Sequence, residues 1–330
     1  MSVTVIIPTT WKRKHFHQVI YNCYRNQTYK NKKLIVFEDQ ENTEPSKFWL
    51  SVVKTDGSVF YMHENKTYTI GAKRNKLVEE ATTEYIAHFD DDDIYMPNYL
   101  EVMMNYIGDA YFCKLLSWLN YIPNMSLFNK YVNLNPSYRS KFDYLYHKHD
   151  GIYYYRRAGS RGDLDTYLEF GFSYLYKRCV YPEISFPDIN LGEDYEFAYA
   201  IKKKHSIKLI ENISEPIVIK RQFQFNTSIS WPNLIIPKKM IEFVNKIQIY
   251  HNNVFVLSDL PVVSKKNDMN MFVKDDMNMF VDDMNMFVDD MNMFVDDMNM
   301  FVKDDNFSVY DNDDNDDNDD NIDISCLDGK

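Results

Sequence analysis

Apolar and polar positions alternate in blocks along the first ninety residues. "VTVIIP" (3–8) is a short β-branched run closed by proline, the pattern of a buried strand. In "HFHQVIYNCYRNQ" (15–27), Phe16, Val19, Ile20, Cys23 and Tyr24 share one helical face. "KKLIVFEDQ" (32–40) reads as a second strand that ends in two acids, and "SVFYMHE" (58–64) as a third. "GAKRNKLVEEATT" (71–83) is a second helix with Leu77, Val78 and Ala81 on one side, and "EYIAHF" (84–89) is a further strand. This alternation predicts an α/β domain with a largely parallel sheet. Such sheets bind ligands off the carboxyl ends of their strands. Pro8-Thr9-Thr10, Glu38-Asp39 and Asp90–Asp93 all fall at such ends.

Residues 110 to 190 are less periodic and rich in Tyr, Phe and Asn. "DGIYYYRRAGSRG" reads as strand and turn, and "FGFSYLYKRCV" as a strand returning to the core. "NLGEDYEFAYAIKKKH" (190–205) opens a helix with Gly192 and acids and closes it with lysines. "IKLI" and "PIVIKRQF" are late strands, and the globular part is expected to end near residue 262. Beyond it "DDMNMFV" recurs four times, from Asp275, Asp282, Asp289 and Asp296. Met284, Phe287, Met291 and Phe294 would form a stripe on a helix, which reads as a partner-binding segment. Paired aspartates and valine form helices poorly, which reads instead as a disordered appendage. The expected organisation is therefore a domain over 1–262 and an acidic tail over 263–330.

Composition changes this picture in three places. The net charge of −12 belongs to the tail: residues 265–330 hold five lysines and twenty aspartates, and the rest is near neutral. No clustered basic face marks a nucleic-acid binder. Four scattered cysteines and two isolated His-x-His pairs (His15/His17, His147/His149) form neither a disulfide framework nor a zinc site. No apolar run is long enough to span a membrane, and in "MSVTVIIPTTWKRK" the basic residues follow the apolar run, the reverse of a secretion signal. A cytoplasmic location is expected, in a host cell if the source is a virus.

The run "EYIAHFDDDDIYMP" (84–97) carries the clearest chemistry. Two ionised carboxylates about 5 Å apart repel by about 3 kcal/mol at an effective dielectric near 20. A hard divalent cation relieves that repulsion; a solvated turn whose acids cap backbone groups avoids it. Periodicity leaves both readings open.

In order along the chain, "VTVIIPTT", "QTYKNKKLIVFED", "IGAKRNKLVEEATTEYIAHFDDDD" and "LGEDYEFA" resemble family 2 glycosyltransferases of the GT-A fold, over roughly residues 2 to 225. The resemblance implies a Rossmann-like α/β/α sandwich, with a nucleotide-sugar half over 1–109 and an acceptor and catalytic-base half over 110–262. In the family's Asp-x-Asp pattern, Asp90, Asp92 and Asp93 would hold Mn²⁺ or Mg²⁺ on a diphosphate, Asp92 foremost, and Asp91 would face the ribose. Asp39 would take a hydrogen bond from a uracil or thymine base; Glu38 stands where the family often has a second aspartate. Pro8, Thr9 and Thr10 would contact the nucleoside. Arg74 and Asn75 match an "ARN" stretch, with Arg74 on base or phosphate or a plain helix charge. Glu193-Asp194 matches a Glu-Asp helix start; Asp194 would be the base that deprotonates the acceptor, or both acids would serve the helix dipole. Lys220, Arg221 and Ser228 fit loosely a segment that closes over the diphosphate. Tyr153 to Arg157 and Arg161 would meet acceptor or sugar, or form a tyrosine-rich strand.

The expected function is inverting, metal-dependent transfer from a UDP- or dTDP-sugar to the hydroxyl of a glycan, protein or lipid. Two rivals are a non-catalytic nucleotide-sugar or glycan binder that recruits a partner through its tail, and a nucleotide-sugar hydrolase.

Overall fold

The computed structural model describes residues 1–122, 145–147, 151–158, 166–211, 216–222, 247–249 and 255–257. Its first elements are β1 (Val3–Thr10), a 3-10 turn (Trp11–Phe16), α1 (His17–Arg25), β2 (Lys32–Asp39), α2 (Lys47–Thr55), β3 (Val59–Glu64), α3 (Ile70–Glu80) and β4 (Tyr85–His88). β5 (Ile94–Tyr95), α4 (Tyr99–Ile107), β6 (Phe112–Leu115) and β7 (Ser117–Ile122) follow. Then come β8 (Leu145–His147), β9 (Gly151–Arg157), β10 (Leu175–Lys177), α5 (Glu193–Lys204), β11 (Ile207–Ile210), β12 (Val218–Arg221) and the pair β13 (Ile247–Ile249) and β14 (Phe255–Leu257).

Seven strands form the central sheet in the order β11-β6-β10-β4-β1-β2-β3. β4, β1, β2 and β3 run parallel, as do β6 and β11; β10 lies antiparallel between β4 and β6. The pleat sorts side chains to two faces. Val3, Val5, Ile7, Leu34 and Val36 pack with Ile20, Trp49 and Leu100 on one face. Ile6, Ile35, Phe37 and Ile86 pack with Leu77, Val78, Phe197 and Ile201 on the other. Each fully buried aliphatic side chain contributes about 1.5–3 kcal/mol, enough to fix which way the strands face. The result is an α/β architecture with a mainly parallel sheet between helical layers, which fits a GT-A fold. A second sheet, β5-β12-β7-β9-β8, is tied to the first where β6 runs into β7.

Registry sets the rim. Thr9 stands opposite Glu38 and Thr10 opposite Asp39, while β4 pairs with β1 only as far as Ile6–His88. Phe89 N–H still donates to Ile6 O, and the chain then leaves the sheet as Asp90–Asp93.

Three stretches depart from the pattern reading. α2 was not read from the sequence; Ser46 caps it by accepting from Trp49 N–H, and it buries Trp49 and Val52. The segment 94–122, unassigned in the pattern reading, also carries β5, α4, β6 and β7. The strand expected over "FGFSYLYKRCV" shrinks to three residues, because Gly171–Ser173 is a 3-10 turn. The described residues all lie within Met1–Leu260; Pro261–Lys330, with the repeats and the aspartate-rich run, falls outside them, as do Arg161 and Ser228. Among the described residues no helix is long and apolar enough to cross a membrane.

Candidate active site

The aspartate quartet is a turn whose charges are met by four cations from three other segments. Arg13, from the 3-10 turn after β1, donates from Nε to both Asp91 oxygens (2.8 and 3.0 Å). Its Nη2 lies 2.6 Å from Asp91 Oδ1 and 2.6 Å from Asp92 Oδ2. Thr9 Oγ1 also donates to Asp91, at 2.6 Å. Asp93 accepts from Arg221 N–H at 2.8 Å, and its Oδ2 lies 3.7 Å from Lys220 Nζ. Arg221 Nε donates to the Asp92 carbonyl. Arg74 reaches Asp90 Oδ1 at 3.5 Å. Asp91, Asp92 and Asp93 are buried, whereas the Asp90 side chain keeps 26% of its exposure and opens the cluster to ligands.

These surroundings split the three buried acids. Burial pushes Asp93 well above the usual carboxylate range, with Asp92 and Asp90 adding to it against Lys220. Burial also raises Asp91, opposed by Arg13. At Asp92 burial acts upward too, but Arg13, Lys220 and Arg221 outweigh it and hold the carboxyl down. Of these three, Asp92 keeps its charge most firmly.

One oxygen each from Asp90, Asp92 and Asp93 lies within 4.8 Å of the others. Asp93 Oδ2 is buried and receives no hydrogen bond. Three carboxylates converging on one point, one oxygen lacking a donor, fit a hard divalent cation such as Mn²⁺ or Mg²⁺.

The neighbouring strand ends meet this turn unequally. Asp39 faces α3: its Oδ1 takes Lys73 Nζ at 2.5 Å and its Oδ2 takes Tyr68 N–H at 2.6 Å. Lys73 also donates to Thr9 O at 3.1 Å, tying the ends of β1 and β2 together. Thr10 Oγ1 donates to Asp39 O and Gln40 Oε1. Pro8 closes the apolar part of β1 opposite Phe37. Glu38 points through the opposite face, where Ser46 N–H and Tyr61 Oη donate to it, and burial raises its pKa. Asn75 spends both ends of its amide on Phe186, donating to its carbonyl and accepting from its N–H, each at 2.8 Å. Glu38 and Asn75 thus stand with the scaffold of the rim.

Gly192 (φ 86) turns the chain into α5. Glu193, the first helical residue, is buried and ion-paired with Arg74 Nη1. Burial raises its pKa to about 7, against the pull of Arg74. Asp194 is half-buried. Its Oδ2 accepts from Gly171 N–H at 2.7 Å and its Oδ1 from Tyr195 N–H at 2.8 Å. The two adjacent acids are thereby separated: Glu193 is locked inward, and Asp194 is oriented at the rim. Arg74 bridges Asp90 and Glu193, so the aspartate cluster and the start of α5 form one site.

The Tyr153, Tyr154 and Tyr155 rings are buried in the second sheet. Tyr154 Oη donates to Gln222 and Tyr155 Oη to Ser117, so these tyrosines build its core. Pattern reading missed Arg13 and Lys73, although each closes a charge at the site. Their only trace in the sequence is a basic run, "WKRK", and one of several lysines in "GAKRNK".

A parallel-sheet rim carrying an acid cluster, a second carboxylate at a helix start and an arginine between them lies where α/β sheets bind ligands, off the carboxyl ends of the strands. The sequence profile of Glycosyl transferase family 2 matches residues 4–168, half of the chain, and the chain belongs to that family. EpsH of Bacillus subtilis, named as a glycosyltransferase, is 34% identical over 85 residues, 26% of this chain and 24% of EpsH. A beta-1,3-glucosyltransferase of Campylobacter jejuni, named for GalNAc(5)-diNAcBac-PP-undecaprenol, is 22% identical over 111 residues, 33% of this chain and 36% of that protein. The chain thus spans well under half the length of these relatives. Among solved structures, S. aureus TarS 1–349 in complex with UDP-GlcNAc aligns over 70% of this chain and 62% of that one, at 12% identity and a TM-score of 0.47.

Proposed function

We propose that the chain transfers a sugar from a UDP- or dTDP-sugar to an acceptor hydroxyl with inversion at the anomeric carbon, dependent on Mn²⁺ or Mg²⁺. The observation that carries this reading is the Arg74 bridge, which puts the acid cluster and Asp194 at one rim. Asp194 accepts the acceptor's proton as its oxygen attacks the anomeric carbon, and the bond to the diphosphate breaks on the opposite face. Asp194 suits this role because two backbone N–H groups fix its orientation while it stays half-exposed. Asp90, Asp92 and Asp93 would hold the cation, whose positive charge, when bound, favours departure of the diphosphate. Arg74, held by Glu193, keeps Asp90 in place. Thr9 and Thr10 border the nucleoside side, and Asp39, braced by Lys73, is the acceptor for the base N–H.

The test is release of nucleoside diphosphate from a donor panel with Mn²⁺ and candidate acceptors. Asp194→Asn is expected to lower kcat by about 10²- to 10⁴-fold, the usual range for a lost acid–base group, and Asp92→Ala, as the loss of a cation ligand, to lower turnover and raise the Mn²⁺ concentration it needs. Unchanged turnover in either variant refutes the role given to that residue. Release of free sugar without acceptor dependence would identify a hydrolase instead.

A further inference from the structure

β6 carries a lysine in a place where an aliphatic side chain would pack. Lys114 is fully buried. Its Nζ donates to Tyr167 O at 2.7 Å and to Glu169 O. The rings of Phe170 and Tyr174 flank it, at 5.9 and 5.6 Å from Nζ. Burial pushes its pKa down to about 7, so the strand carries this charge at a cost.

The two carbonyls that Lys114 grips belong to one tight turn. Its next residue, Phe170, has φ 72 and ψ 74, a left-handed conformation that bulky side chains rarely adopt. Trp118 and Arg156 pack on the Phe170 ring and hold it there. The residue after it is Gly171, whose N–H donates to Asp194 Oδ2 and whose carbonyl faces His88 Nδ1 at 3.0 Å. A Cβ at Gly171 would lie 2.8 Å from Asp194 Cβ and 3.3 Å from the Arg74 guanidinium, so the turn presses its backbone directly on the base.

We propose that Lys114 is a positioning residue for Asp194: it fixes the Tyr167–Gly171 turn, and the turn's last N–H aims the carboxylate at the acceptor. This rests on Asp194 being the base. The lysine touches neither substrate nor the reacting atoms. A left-handed phenylalanine is held from both sides, by ring packing outside and by Lys114 inside, because a relaxed turn would withdraw the Gly171 N–H.

The experiment uses the full chain, with UDP for binding and the donor selected by the panel for turnover. Lys114→Met is expected to lower kcat by about 10- to 100-fold, as small misplacements of reacting groups do, while the Kd for UDP stays within twofold. In an Asp194→Asn background, Lys114→Met should lower the residual rate less than twofold, because both changes act on the same group. Losses that multiply, or UDP affinity that falls with kcat, overturn the proposal and make Lys114 a general packing residue. A second measurement needs no turnover: exchange of the Gly171 amide hydrogen should accelerate at least tenfold in Lys114→Met, with the His88 amide, bonded to Tyr174 O, unchanged. Equal protection at Gly171 refutes the proposal. Phe170→Gly, which suits the left-handed backbone but loosens the turn, should reproduce the kcat loss; full activity there also refutes it. If Asp194→Asn retains the wild-type rate, the assignment of the base fails, and Gly171 exchange still decides whether Lys114 sets the turn.

Discussion

Arg13 shows how one side chain decides the state of several others. It is the most exposed cation of the acid cluster, at 28%, yet it contacts two carboxylates that are nearly buried. Removing it leaves both acids short of charge compensation. Arg13→Gln is expected to cost about 2 kcal/mol, the value of hydrogen bonds to charged groups, and so to lower Tm by about 4–8 °C for a domain of this size. A Tm unchanged in thermal denaturation would show that Arg13 contributes only at the surface. Glu193 supplies a pH signature. Its folded pKa of about 7 lies above the ordinary 4.5. Between those values the folded chain holds a proton that the unfolded chain releases, so this group's contribution to stability falls as pH rises from 4.5 through 7. Glu193→Gln should flatten the fall of Tm across that window; an unaltered slope would mean that the carboxyl titrates normally. Asp90–Asp93 and Asp39 were readable as candidates from their positions at strand ends, and Glu193-Asp194 from the family resemblance. Their division of labour was not, since it depends on which cation reaches each oxygen.

At the scale of elements, α3 carries the most functional side chains per turn: Lys73, Arg74 and Asn75 engage Asp39, Glu193 and the Phe186 backbone in sequence. Thr69 caps it, its hydroxyl accepting from Ala72 N–H at 3.1 Å. Thr69→Ala should cost about 1 kcal/mol, a fall of about 2–4 °C in Tm, with a matching rise in donor KM if the helix start positions Arg74. An unchanged Tm would show that the Asn190 contact to Ile70 N–H at this end suffices. β1, β2, α3 and β4 were legible because each has one period over its length. β6 and β7 were not, because they bury Lys114, Ser117 and Asn120 beside their apolar residues, which erases the period, whereas α2 and α4 carry a helical period that the pattern reading passed over. Gly171–Ser173 defeated the strand reading for a different reason: the turn exists to meet Asp194, a partner 23 residues away.

At the scale of the whole molecule, the described residues of the candidate site all precede residue 222. These include all four cations of the cluster and α5, and the seven- and five-stranded sheets end before it too. Truncation after residue 264 is therefore expected to leave donor turnover within twofold of the full chain; a loss of tenfold or more would show that the repeat tail takes part in catalysis.

The sequence by itself determined the alternation of strands and helices, the parallel character of the first sheet half, and the acids at its carboxyl rim. These follow from local period and from residue type, which need no knowledge of distant neighbours. Tertiary structure alone decided that Arg13 meets Asp91 and Asp92 across 78 and 79 positions of chain, that Arg74 joins Asp90 to Glu193, and that Glu38 turns away from Asp39. A buried charge is stable only beside its partner, and which partner arrives is fixed by how separate segments pack in space, information that no single stretch of chain contains.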